Sequence, residues 1–126
     1  MAVVRRWRFY ETSTGSRPVR DFLISGEVPP GDRDEILAAM ADVRKNGLEW
    51  ARHLRGDIWE VRATGNRVAY RILFATEGAR SQVLLALTAL IKKTQKTPQS
   101  EIELAETRLA DWRKRAAPKR RRPGSG

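Results

Sequence analysis

The stretch DIWEVRATGNRVAYRILFATEGARSQVLLALTALI, residues 57–91, alternates with a period of two. Successive strand residues point to opposite faces, so the pattern predicts three strands joined by tight turns at Thr64–Asn66 and Glu77–Arg80. In the first strand Ile58, Glu60 and Arg62 share one face, while Trp59, Val61 and Ala63 share the other. In the second, Val68, Tyr70, Ile72 and Phe74 lie together and Arg71 lies opposite. The third is apolar on both faces, as a central strand covered on both sides would be.

Upstream, VVRRWRFYET alternates well enough for a first strand, with Val4, Trp7 and Phe9 available for burial. SRPVRDFLISG reads as a short helix capped by Ser16, with Pro18 in its first turn and Gly26 at its end. VPPGDRDEILAAMADVRKNG gives a second helix. Asp32 and Glu35 resemble a capping box, Ile36, Leu37, Met40 and Val43 form an apolar stripe, and Gly47 is the stop. Downstream, Thr97 and Pro98 open a last helix with Ile102, Ala105, Leu109 and Trp112 on one stripe. The order β-α-α-β-β-β-α defines an α+β domain: a small, curved, mainly antiparallel sheet flanked by helices.

The chain of 126 residues fits one domain, read as residues 1–115 followed by a disordered basic tail, 116–126. Its net charge is +10, but seven cations between Arg113 and Arg122 have no acid beside them in sequence; without them 18 basic residues face 15 acidic ones. The body is only mildly basic, so a claim about nucleic acid rests on where its cations sit. There is no cysteine, which fits a reducing cytoplasm. No apolar run is long enough to span a bilayer and no secretory signal is visible, so a cytoplasmic protein is expected.

One histidine and no cysteine exclude a Cys-His pair and a His-rich metal site, and the carboxylates lack the spacing of a hard-metal centre. No phosphate-binding glycine loop occurs, and neither metal nor cofactor is expected. What remains is cationic. Arg62 ends the first hairpin strand, Arg67 and Arg71 lie at the start of the next, and Lys92 and Lys93 follow the third. In a three-stranded meander these positions converge at one end of the sheet. No acid lies between Glu77 and Glu101 to neutralise Lys92, Lys93 or Lys96. Such a patch can hold a phosphodiester and stabilise charge developing on phosphorus. RNA carries its own nucleophile, the 2′-OH, whereas DNA does not, so metal-free cleavage points to RNA. The same residues have blander readings. The lysines can be a solvated loop, Arg62 can pair with Glu60 or Asp57, and Tyr70 can be core.

HLRGDIWEVRATGNRVAYRILF and IKKTQKTPQSEIELAETRLADW together resemble the HigB-like, phage Gp49-like branch of the RelE/ParE toxin superfamily, over roughly residues 5–115. The matching motifs are L-x-G-x-I-W-E-L-R … Y-R and KKTQKTP … EI-x-x-A. The resemblance implies a RelE-like fold and a toxin of a type II toxin–antitoxin pair that cleaves mRNA in the ribosome. Its antitoxin would be a helix-turn-helix protein, and operator DNA would be met only through the antitoxin complex. Carried over, Arg62, Arg71, Lys92 and Lys93 would clamp the scissile phosphate, with Tyr70 as a further catalytic candidate. Arg67, Lys96 and Arg55 would add RNA contacts.

The chain also departs from its relatives. Ile58 and Glu60 stand where better-known members carry lysines, and the His-aromatic pair common before the paired lysines is replaced by Ala86, Leu87, Thr88 and Leu90. The general base is thereby left open between His53 and a lysine whose neighbour's charge lowers its proton affinity. Two further functions stay open: gyrase inhibition, as in ParE-like members, and non-catalytic binding of RNA or antitoxin.

Overall fold

The computed structural model describes residues 4–93 and 95–120. The element order is β1 (Arg6–Phe9), α1 (Pro18–Ile24), α2 (Pro30–Asn46), a 3-10 turn (Leu48–Trp50), β2 (Arg52–Arg55), β3 (Ile58–Thr64), β4 (Ala69–Glu77), β5 (Val83–Ile91) and α3 (Gln99–Arg120). The strands form one five-stranded sheet in the order β1-β5-β4-β3-β2. β1 runs parallel to β5, and the other pairings are antiparallel. The expected α+β architecture is present, with β2 added at the edge.

Alternation builds two cores. Val61, Ala63, Tyr70, Ile72, Phe74, Leu84 and Ala86 face α1 and α2 and pack on Val19, Leu23, Ile36, Met40 and Val43. Ile58, Leu73, Ala75, Leu85 and Leu87 face α3 and meet Ile102, Ala105 and Leu109. Burying each large aliphatic side chain contributes about 1.5–3 kcal/mol, so both layers help to hold the sheet between its helices. The β4–β5 ladder slips once: Leu73 pairs with Thr88 but Phe74 pairs with Ala86, leaving Leu87 as an extra residue on β5. This bulge changes the phase of the strand, so that Leu90 joins the α3 face while Ala89 and Ile91 pack on the α1–α2 core.

Several local expectations are corrected. Val4 precedes β1 and is 83% exposed, because burial at this end passes to Trp7, Phe9 and Tyr10. Ser16 does not cap α1; Arg17 occupies that position, with no side-chain cap. α2 starts from Pro29 and is not closed by a capping box, since Asp32 is turned inward to a tertiary partner. Leu37 is exposed beside a stripe of Ile36, Met40 and Val43. Gly47 ends the helix with φ +95°, a conformation glycine adopts without strain. Val68 lies in the turn before β4 and is exposed, its carbonyl accepting the Gly65 N–H at 2.7 Å. Both turns are longer than expected, residues 65–68 and 78–82.

α3 begins at Gln99, with the Pro98 carbonyl accepting the Ile102 N–H, so Thr97 stands outside it. The helix continues to Arg120, into the segment expected to be a tail; residues 121–126 of that segment lie outside the described residues. Two of the cations read as lacking acids have them in three dimensions. Arg113 bridges Asp57 and Glu77, and Arg115 pairs with Asp111, which also accepts the Tyr10 hydroxyl.

Candidate nucleic-acid interface

On the α3 face, cross-strand pairing arranges the polar residues in rows. Arg52, Glu60, Leu73 and Thr88 form one row across β2 to β5. Arg62, Arg71 and Leu90 form the next. The ladder extends one step past β5 through the Lys92 N–H to the Ala69 carbonyl, at 2.7 Å, which puts Lys92 in a third row beside Ala69 and Thr64. Residues directly opposite in a pair share a face, so Arg62, Arg71 and Lys92 gather at the same end of the sheet.

They do not share an environment. The Arg71 side chain is 1% exposed and that of Glu60 fully buried, with Arg71 Nε 3.6 Å from Glu60 Oε2. Arg71 Nη1 donates to Thr97 Oγ1 at 2.7 Å and Nη2 to the Gln95 carbonyl at 2.6 Å. The Thr97 hydroxyl in turn donates to Glu60 Oε2. Burial pulls the Arg71 guanidinium below its ordinary pKa, Glu60 opposes that shift, and the positive charges of Arg62 and Arg52 add to it. Arg71 was expected to touch phosphate. Instead it is buried and fastens Gln95 and Thr97 to the hairpin, because its planar donors fit a carbonyl and a hydroxyl that arrive from a distant part of the chain.

Arg62 is the surface counterpart. Its Nε donates to Glu60 Oε1 at 2.9 Å while its side chain stays 40% exposed. The alternative of a structural pair with Glu60 is therefore realised, and Asp57 is taken by Arg113. The Nη groups of Arg62 make no hydrogen bond to any described residue, so the anchored guanidinium keeps two amino groups, with four N–H donors, unspent. Lys92 is half-buried and Lys93 exposed, with no carboxylate within ion-pairing distance of either among the described residues. Lys93 lines a 340 Å³ cleft with Phe22, Ile91, Pro98 and Glu101. Arg67 is exposed in the β3–β4 turn, and Lys96 is exposed on the loop.

The remaining candidates are elsewhere. Tyr70 faces α2, is 1% exposed and donates to Asp32 Oδ2 at 2.6 Å. Burial, with help from that bond, pushes its hydroxyl up to about 12. Asp32 also accepts the Asn66 N–H at 2.8 Å, and the Tyr70 and Asn66 bonds together hold its carboxyl below the usual range. His53 pairs across the ladder with Trp59 and packs on that ring at 4.9 Å, with Nε2 2.8 Å from the Gly56 carbonyl. Both residues thus lie on the sheet face opposite Arg62. Arg55 makes two bonds to Glu106, at 2.6 and 3.1 Å, which dock α3 on β2 while its side chain stays 40% exposed. Among the described residues no three His, Cys, Asp or Glu side chains form a metal-ligating group.

The sequence reading missed Arg52. It is exposed, sits opposite Glu60 and makes no ion pair with any described residue. A four-residue edge strand with basic ends gives little alternation to find it by.

The cations thus sit on a small mixed sheet with α3 packed on one face and α1 and α2 on the other. The family model for the phage-derived Gp49-like proteins matches residues 26–110, and the chain belongs to that family. It is 32% identical over 117 residues to "Probable endoribonuclease HigB1" of Mycobacterium tuberculosis, in each of two strains, covering 90% of this chain and 89% of the relative. No helix among the described residues is long and apolar enough to cross a membrane.

Proposed function

We propose that this chain is the toxin of a type II toxin–antitoxin pair and cuts mRNA on the ribosome, without a metal, until a helix-turn-helix antitoxin restrains it. The observation that carries the reading is the anchored, outward guanidinium of Arg62 in a row next to Lys92, on a chain similar along nine-tenths of its length to a probable endoribonuclease. In this scheme Arg62, Lys92 and Lys93 grip the phosphodiester and stabilise charge as the 2′-oxygen, giving its proton to an unprotonated lysine or to water, bonds to phosphorus, while the P–O bond to the 5′-oxygen breaks and that oxygen takes up a proton, leaving a 2′,3′-cyclic phosphate. Arg71 is a positioning residue that sets the loop. Proton transfer falls to a lysine or to water in this reading, which is supported by His53 lying on the other face of the sheet and Tyr70 being buried against α2. Lys93 also borders the cleft beside Phe22 and Pro98, so the basic surface is part open and part recessed.

Arg62→Ala and the pair Lys92→Ala/Lys93→Ala should relieve growth inhibition in cells while the purified proteins keep their circular dichroism and thermal midpoint. Toxicity unchanged in both would remove the proposed site.

A further inference from the structure

We propose that Arg52 extends the RNA grip outward by one phosphate and so sets how long a strand the protein prefers; this rests on the RNA reading above. Arg52 lies directly across from Glu60, and Arg62 is two residues further along β3, so the two arginines are diagonal neighbours on one face. Diagonal positions in an antiparallel pair stand about 7–8 Å apart, comparable with the separation of successive phosphates on an extended strand. The two sides of Glu60 are treated differently. Arg62 is tethered to its carboxylate and held still, whereas Arg52 is exposed and makes no bond to a described side chain. Both charges reach the buried Arg71 guanidinium, so they act on one region of space. β2 is the last strand of the sheet, and nothing in the sheet lies beyond Arg52. A strand gripped at Lys92 and Arg62 and running across the ladder therefore meets Arg52 next.

The ordinary role of an arginine on an edge strand is to discourage edge-to-edge association. That role predicts aggregation on removal and no change in RNA affinity. The test is fluorescence anisotropy of the full chain with a single-stranded dodecanucleotide and a trinucleotide RNA, blocked at the 2′ positions, across a salt series. Arg52→Ala should weaken dodecanucleotide binding severalfold and make its log K against log salt slope shallower by about 0.7, the value of one single-strand phosphate contact. Trinucleotide binding should not change. Arg52→Lys should keep the wild-type slope, and Arg52→Gln, which keeps the edge polar, should repeat the alanine result if that variant aggregates. Wild-type affinity and slope in both Arg52→Ala and Arg52→Gln would overturn the inference, provided Arg62→Ala weakens both RNAs. If Arg62→Ala also binds as wild type, the RNA reading itself fails.

Discussion

Arg71 Nε lies 3.6 Å from Glu60 Oε2, and both side chains are closed off from water. One comes from the motif that ends in Arg62 and the other from the Tyr-Arg pair, and together they hold Gln95 and Thr97 of the lysine loop. Three separate sequence motifs are thus parts of a single buried network. Its product is a loop pinned at Gln95 and Thr97 to the strands that carry Glu60 and Arg71.

Removing one partner of a buried pair strands the other charge. Arg71→Met should cost about 3–5 kcal/mol in urea unfolding. In a Glu60→Leu background the same change should cost less, with a coupling of about 1–3 kcal/mol between the two sites. Independent, additive effects would show that the pair is not a unit.

Thr97 tests the loop separately from the fold. Thr97→Val removes the hydroxyl shared by Glu60 and Arg71 but keeps its volume, so RNA binding and toxicity should fall while Thr97→Ser retains both. Equal loss in the serine variant would mean that the methyl group, not the hydroxyl, sets the loop.

Asp32 and Tyr70 give a pH signature. The Tyr70 hydroxyl is raised to about 12 in the folded chain, against about 10 when unfolded. Its contribution is therefore complete below about pH 10 and is lost as pH rises toward 12. Asp32 is shifted the other way, so its contribution holds above about pH 3.9 and fades as pH falls further. Tyr70→Phe should be less stable by about 1–3 kcal/mol at neutral pH, with the gap to wild type closing between pH 10 and 12. A gap independent of pH would refute the assignment.

Gly65 packs against the same carboxylate: a Cβ there would stand 2.3 Å from Asp32 Cγ. Gly65→Ala should destabilise the wild type, and much less so a protein already carrying Asp32→Ala. Equal costs in both would place the strain elsewhere.

The faces of β3, β4 and β5 were legible because a period of two is local, and so was the convergence of Arg62, Arg71 and Lys92, which follows from meander topology. Burial of Arg71 was not, since its partners Gln95 and Thr97 lie more than twenty residues away and one of them is a backbone carbonyl. Asp32 matched a capping pattern, yet its bond to Tyr70, across the molecule, won over the local one. β2 was missed because Arg-His-Leu-Arg offers one apolar residue in four, and Arg52 was missed with it.

If the cations at this end of the sheet hold RNA while it is cut, their removal must abolish the cuts themselves. The most direct measurement is to map mRNA ends in translating cells that express the wild type or the Arg62→Ala/Lys92→Ala/Lys93→Ala protein. The wild type should give codon-phased cuts ending in 2′,3′-cyclic phosphate, and the triple variant none. No new ends with the wild type, or the same ends with both proteins, would contradict that role for the cations.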